Sequence, residues 1–386
     1  MSIWWAGVKA CLPERVVPPH LPQPPRGRTF VIALGKAAVP MARAVEAHWP
    51  GPLTGLAVTR YGGAEPLTRI EVLEAPHPVP DAASVTAAGH LLSLAASAGP
   101  DDLVLVLLSG GASALACLPG EGLTVAEKQQ VTTALLRSGA PIAEINCVRR
   151  HLSRFKGGKL AAEASPARLV TLAISDVLGD EPANIGSGPT AADPTTVGDA
   201  QAILRRYNIP DAGRGWSETE KAVAGEYNIV ASGAEALAAA AQEATKLGYR
   251  FVTLECAGEA RDVAREHARL ALQAPAGTAL ISGGELTVAV RGSGSGGPNH
   301  EYALAAALAL RGTRVRGLAG DTDGIDGTSH AAGAFFDGAT ITDPAAAEAA
   351  LAANDSAAFL ASRNALFVTG PTGTNVNDLR ILLTPL

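Results

Sequence analysis

Cysteine is scarce in this chain, and basic charge is not in excess. The four cysteines among 386 residues, Cys11, Cys117, Cys147 and Cys256, stand far apart and form no CxxC. That spacing indicates neither a disulfide framework nor a zinc site. The formal net charge is −6, so no surplus of lysine and arginine exists to neutralise a phosphate backbone, and nucleic acid is not an expected partner. No run of about 18 apolar residues occurs, which excludes a helical membrane span. A secretory leader is not expected either, because Trp4 and Trp5 are soon followed by Lys9 and Pro13. A cytoplasmic chain is therefore expected. Two nucleotide fingerprints are missing as well: GxxxxGK[ST] occurs nowhere, and the first clear strand runs into ALGKAAVPMA rather than GxGxxG.

What is present suits a folded α/β protein. Hydrophobic residues make up 47% and charged residues 18%, and many of the 42 glycines follow apolar runs, where strand-to-helix turns need them. The length corresponds to about two to three domains.

One stretch organises the first half. Leu169 to Ile174 is a short apolar run and reads as a buried strand; Ser175, Asp176, Asp180 and Glu181 follow, then the turn formers Asn184, Gly186, Ser187, Gly188 and Pro189. In open α/β sheets, ligands sit beyond the carboxyl ends of strands. Carboxylates there serve as proton acceptors or as oxygen ligands for a divalent cation; the alternative is a solvated acidic loop. Upstream, Pro18 to Pro25 reads as an extended connector. Thr29 to Leu34 is a strand, and Gly35-Lys36-Ala37-Ala38 opens a helix to about His48. Lys36 is placed to meet an anion, or is an ordinary helix lysine. Asp81 is expected to cap a helix. Leu103 to Leu108 (LVLVLL) reads as a parallel strand buried on both faces, ending in Ser109-Gly110-Gly111. Two glycines there let backbone N–H groups close on a phosphate or carboxylate, or simply allow tight packing. Thr124 and Glu127 form a capping box. Asn146 to Leu160 is the densest basic stretch, with Arg149, Arg150, His151, Arg154, Lys156 and Lys159; on a helix these cover more than one face, so not all can meet one ligand, and most read as a solvated basic helix.

The second half is expected to start afresh as another α/β unit with a strand at Asn228 to Ala231, after a linker over Pro210 to Glu226. Ser232 and Glu235 form a second capping box, and strands and helices alternate to Ser282. Arg291-Gly-Ser-Gly-Ser-Gly-Gly-Pro-Asn299 opens another helix, a position that favours phosphate cradling by Gly296 and Gly297 over a flexible linker. Asp321, Asp323 and Asp326 lie in a glycine-rich turn and suit either Mg²⁺ or Asx turns.

Seven segments, in order over nearly the whole chain, resemble the glycerate 2-kinases whose C-terminal region is called the MOFRL domain. They are GKAA from Gly35, LLSGGASAL from Leu107, INCVRRHLSRFKGGKLA from Ile145, ISDVLGDEPANIGSGPT from Ile174, SGGE from Ser282, AGDTDGIDG from Ala319 and GPTGTNVNDL from Gly370. The resemblance implies ATP- and Mg²⁺-dependent phosphorylation of the 2-hydroxyl of D-glycerate, giving 2-phosphoglycerate. It also implies two Rossmann-like α/β domains, placed here at 1–224 and 225–386, with an active-site cleft between them. On the matching motifs, Lys36 is the expected catalytic cation, and Asp176 or Asp180 the base or a metal ligand. Asp321 and Asp323 are metal candidates. Ser109, Gly110, Gly111, Asn146, Arg149, Lys156, Gly296, Gly297, Asn299, Thr374 and Asn375 are expected to bind substrate or phosphate. Many relatives start with a longer N-terminal helix and carry Arg and Gln where Pro298 and His300 stand. The expected partners are small molecules, glycerate and ATP, for a monomer or homodimer. Two other readings are a hydroxypyruvate or tartronate-type reductase, which needs the missing dinucleotide fingerprint, and a non-catalytic sugar-acid or nucleotide binding protein.

Overall fold

A computed structural model describes residues 1–211 and 213–386, which divide into two compact units. One unit is Pro13–Val230; the other joins Met1–Leu12 to Ala231–Leu386. Among the described residues no helix is long and apolar enough to cross a membrane.

The first unit is built on a six-stranded sheet: β1 (Thr29–Leu34), β2 (Leu53–Arg60), β3 (Ile70–Ala75), β4 (Leu103–Leu108), β5 (Arg168–Ile174) and β6 (Glu226–Ala231). Their order is β3-β2-β1-β4-β5-β6, and the pairings that join β3 through β5 are all parallel. Every residue of β1 and β4 is buried, because a parallel strand is covered on both faces and tolerates an unbroken apolar run. Phe30, Ile32, Leu34, Val104, Val106 and Leu108 share one core cluster with Leu91 and Leu160 from the covering helices.

This strand order reverses direction between β1 and β4, which makes the carboxyl ends of those strands the topological switch point. The register places the strand ends side by side: Leu34 lies opposite Leu108, and Leu108 opposite Ala173. The chain therefore leaves β1 at Gly35-Lys36, β4 at Ser109-Gly110-Gly111 and β5 at Ser175-Asp176 along one edge.

Several local expectations change. Strand β6 closes the first sheet beside β5 instead of opening a second one; a short apolar run specifies a strand but not its sheet. The helix Val197–Arg206 was not anticipated, although Ala200, Ile203 and Leu204 bury its one apolar face. Pro210 to Glu226 is not a free linker. Ser217 N–H donates to His151 O at 3.0 Å and Glu220 N–H to Gly157 O at 2.9 Å, within the first unit; Ala212, inside that segment, lies outside the described residues. The connector at Pro18 begins as a 3-10 turn, Pro18–His20.

The second unit contains β7 (Arg250–Glu255), β8 (Gly258–Glu259), β9 (Thr278–Gly283), β10 (Leu286–Thr287), β11 (Arg316–Asp321), β12 (Gly333–Asp337), β13 (Leu366–Phe367) and β14 (Asp378–Leu383). Strands β8 and β10 form a small separate pair, and the main sheet runs β13-β12-β11-β14-β9-β7. Only β7 and β9 are parallel in it; the other pairings are antiparallel. The α/β character holds, but a mixed sheet replaces the Rossmann-like arrangement expected for this half. The helix Ser2–Ala10 belongs to this unit as well, not to the N-terminal one. Trp4 is fully buried, in a cluster with Ala240, Ile281, Leu318 and Phe367, and its Nε1 donates to Gly320 O at 3.3 Å.

Candidate active site

At the switch point the two strand ends are tied together before any ligand is considered. Lys36 N–H donates to Gly110 O at 2.8 Å, and Ala37 N–H donates to the buried Ser109 hydroxyl at 3.0 Å. Gly35 has φ +131, and a Cβ there would lie 2.2 Å from Ser109 Oγ, so only glycine permits this approach. Gly111 has φ +83, and a Cβ on it would come within 3.1 Å of the His77 ring and 3.2 Å of Lys36 Cγ. Lys36 and His77 therefore flank the glycine turn. Among the described residues no protein acceptor takes the N–H of Gly110 or of Gly111. Together with a half-buried lysine side chain, these donors make a setting for an anionic group.

The β5 end supplies the carboxylates. Ser175 Oγ accepts from Val177 N–H at 3.2 Å and turns the chain sharply, leaving Asp176 half-buried just beyond the sheet. Asp180 takes a left-handed conformation, φ 54, and its N–H donates to Val177 O at 3.1 Å. Further on, Ser187 Oγ lies 2.9 Å from Ser113 Oγ, which joins this loop to the short helix after Gly111.

The basic stretch is not a solvated helix, for Arg150, His151 and Lys156 are buried. Arg150 is buried and grips Asp193 with Nε at 2.8 Å and Nη2 at 3.2 Å. Its Nη1 reaches Asn184 Oδ1 at 3.5 Å, and Asn146 Nδ2 donates to the same oxygen at 3.4 Å. Burial alone would raise the Asp193 carboxyl, but the Thr195 hydroxyl and Arg150 outweigh it and hold it below its ordinary value. Lys156 is buried, with Nζ donating to Ser113 O at 2.8 Å and Ala116 O at 3.1 Å. Lys159 Nζ donates to the Ser217 hydroxyl at 2.7 Å. Of Arg149, Arg150, His151, Arg154, Lys156 and Lys159, Arg154 alone is exposed. Thus Lys36, Ser109, Gly110, Gly111, Asn146, Arg149, Lys156, Asp176 and Asp180 all belong to the first unit. His77, Lys128 and Asp193 were not singled out from the sequence, and Asn184 only as a turn former; His77 stands between Pro76 and Pro78, a pattern that reads as rigid loop.

Gly296, Gly297, Asn299, Asp321, Asp323, Thr374 and Asn375 belong to the second unit. Here several N–H groups of the glycine loop before the helix Pro298–Ala309 are bonded to protein groups. Gly292 N–H donates to Asn354 Oδ1 at 2.9 Å, Ser295 N–H to Asp355 Oδ1 at 2.9 Å and Gly296 N–H to Thr328 Oγ1 at 3.1 Å. The Asp326 carboxylate takes Asn299 N–H at 3.1 Å and His300 N–H at 2.9 Å, filling the anion position at this helix start. His300 Nδ1 also meets Asp326, and His300 is fully buried. Asn299 is a bridge: its Nδ2 donates to Asp326 Oδ1 at 3.2 Å and Asp378 Oδ1 at 2.6 Å. Burial pushes the Asp378 carboxyl up, against the pull of Arg380, whose Nη2 lies 3.1 Å from Asp378 Oδ2.

Asp321 and Asp323 stand in successive Asx turns, with Asp323 N–H on Asp321 Oδ1 at 2.9 Å and Ile325 N–H on Asp323 Oδ1 at 2.8 Å. Among the described residues no three His, Cys, Asp or Glu side chains converge as a metal cage. The neighbouring loop is stitched on: Val376 N–H donates to Thr322 Oγ1 at 2.9 Å and the Thr374 hydroxyl to Cys11 O at 2.8 Å.

Comparison with known proteins accords with this architecture. Residues 1–215 match a family model described as a domain of unknown function, DUF4147, and residues 278–378 match the MOFRL family. A protein of Agrobacterium vitis, named only provisionally as a hydroxypyruvate reductase, is 47% identical, covering 99% of this chain and 93% of that one. A glycerate 2-kinase of Pyrococcus horikoshii is 40% identical over 93% of this chain and 88% of its own length. The crystal structure of a glycerate kinase from Thermotoga maritima superposes with a TM-score of 0.88 at 39% identity, covering 99% of this chain and 98% of that one. The chain belongs to the glycerate 2-kinase family in which a DUF4147 region is joined to a MOFRL domain.

Proposed function

We propose that the chain is a glycerate 2-kinase, transferring the γ-phosphoryl group of ATP to the 2-hydroxyl of D-glycerate with Mg²⁺. The observation that carries this reading is the switch-point cluster, where Lys36 flanks a glycine turn whose two N–H groups have no protein acceptor among the described residues. Phosphoryl transfer is mainly positioning and charge stabilisation. Lys36 meets the charge on the transferred group, and Gly110 and Gly111 donate to its oxygens or to the substrate carboxylate. Asp176 accepts the hydroxyl proton. Asp180, four residues on, adds a second carboxylate to that loop.

Mg²⁺ in such reactions keeps several waters and takes one or two carboxylates plus phosphate oxygens, not a protein cage. Asp321 and Asp323, fixed by their Asx turns, fit that requirement and are the pair we assign. The cation's contribution when bound is to neutralise phosphate charge. Asn375 remains assigned to the substrate side. Gly296, Asn299 and Thr374 act instead by holding that unit's loops, since their donors have protein partners, and Gly297 stays assigned to phosphate.

The reductase reading is disfavoured by the same turn. A dinucleotide pyrophosphate needs the N–H groups after β1, yet those of Lys36 and Ala37 are taken by Gly110 O and Ser109 Oγ. Incubation with ATP, Mg²⁺ and D-glycerate is expected to release ADP and give 2-phosphoglycerate by phosphorus NMR. No ADP release, with NAD(P)H oxidised on hydroxypyruvate, overturns the reading.

A further inference from the structure

A cavity of about 330 Å³ lies in the first unit between the loop after β3 and the helix Val125–Arg137. Three cationic side chains line it: Lys128, Arg149 and Lys156. The two lysines are 5% and 1% exposed. Among the described residues none of the three pairs with a carboxylate. Lys128 Nζ donates to Arg149 O at 3.1 Å and Leu152 O at 2.8 Å, Lys156 Nζ to two carbonyls already described, and Arg149 Nη1 to Asn146 Oδ1 at 3.5 Å. An ammonium carries three donors, so each lysine retains one beyond its two carbonyls. Burial, with repulsion from Arg149, lowers the Lys128 pKa to about 8, and burial depresses Lys156 further below its ordinary value. Charge held in a low-dielectric site without a counter-charge is costly, and an anion in the hollow relieves that cost for all three groups at once.

The place and size of the cavity narrow the anion. Ser113 lines it two residues beyond Gly111, so the cavity shares a wall with the switch-point turn. Its volume is at the small end of ligand pockets, roughly 300–1,000 Å³, which suits a three-carbon acid better than a nucleotide. We infer that this cavity is the subsite for the acidic end of the acceptor, where Lys128, Arg149 and Lys156 hold the carboxylate of a small 2-hydroxy acid. The inference rests on the kinase reading for the acceptor's identity, and its test does not require turnover.

Calorimetric titration of the full chain with D-glycerate, with and without a non-hydrolysable ATP analogue, measures the site directly. Arg149→Gln is expected to weaken D-glycerate binding about tenfold or more, as loss of a charge-assisted contact does, and to raise KM for glycerate while KM for ATP stays within about twofold. Leu136→Glu is a second variant at an exposed lining position; it brings a carboxylate to the cavity rim and is expected to weaken binding without unfolding risk. Glycerol, lacking the carboxylate, is expected not to bind. Unchanged D-glycerate affinity in either folded variant overturns the inference, as does a rise confined to KM for ATP, or no D-glycerate binding under either condition. Tight inorganic phosphate binding that D-glycerate does not displace also overturns it. Acid binding that both variants weaken, in a protein that transfers no phosphoryl group, sustains the inference while refuting the kinase reading.

Discussion

Arg150 and Asp193 form a two-pronged buried pair, with side chains 6% and 0% exposed. Removing one member of such a pair leaves the other charge uncompensated, which costs about 3–5 kcal/mol. Arg150→Ala is expected to lose that much in urea denaturation at pH 7. Asp193 has a folded pKa below its unfolded value, so its stabilisation is complete above the unfolded pKa of about 3.9 and is lost as pH falls through the folded value. The gap between wild type and Arg150→Ala should therefore narrow below about pH 4, and an equal gap at pH 7 and pH 3 would count against the pairing as its source. This pair was not legible in the sequence. Its members lie 43 residues apart, and a run of adjacent charges carries no mark of burial. The backbone position of Lys36, by contrast, was legible, because it directly follows a fully apolar strand. Lys128 was missed because it stands in the first turn of the helix Val125–Arg137, and a helix lysine is ordinarily exposed.

At the level of elements, the close approach of β1 and β4 depends on one missing side chain. A Cβ on Gly35 would lie 2.2 Å from Ser109 Oγ and 2.5 Å from Ser109 O. Gly35→Ala must separate the strand ends or break the Ala37 N–H to Ser109 bond, and it also bears the strain of φ +131. Gly62, with φ +76 and open space around it, isolates the backbone term. Gly62→Ala is expected to cost about 1–2 kcal/mol, and Gly35→Ala about 1–3 kcal/mol more from the clash. Thermal melts of both variants compare them, and equal losses would mean that backbone strain alone matters at Gly35. Strands β1 and β4 had their limits readable from unbroken apolar runs, and the capping boxes at Thr124 and Ser232 form as their spacing indicates. Within the glycine loop the partners of Gly292, Ser295 and Gly296 N–H were hidden, because they come from Asn354, Asp355 and Thr328, which no local pattern announces. Strand direction was hidden too: alternation of strands and helices signals α/β layering but does not separate a mixed sheet from a parallel one.

Over the whole molecule, the chain starts in one unit, crosses into the other at Pro13 and returns after Val230. The first twelve residues thus complete a core whose remaining parts lie more than two hundred residues away, a long-range pairing that no window of sequence reveals. Trp4 is fully buried, edge-on to Phe367 with ring centroids 4.9 Å apart. Replacing a buried tryptophan by alanine removes its transfer energy and leaves a cavity, a loss of about 3–5 kcal/mol. Trp4→Ala is expected to destabilise the Ala231–Leu386 unit by that amount. Hydrogen exchange resolves which unit responds, since amide protection reports local as well as global opening. Protection in β9, β11 and β14, which flank Trp4's cluster, should fall, while β1, β4 and β5 keep theirs. Parallel loss in both sheets would show that the two units unfold as one cooperative body, and the division seen in the fold would then carry no thermodynamic meaning. Retained protection in β11 and β14 would instead place the stability of that sheet in its own strands and leave the N-terminal helix as a cover.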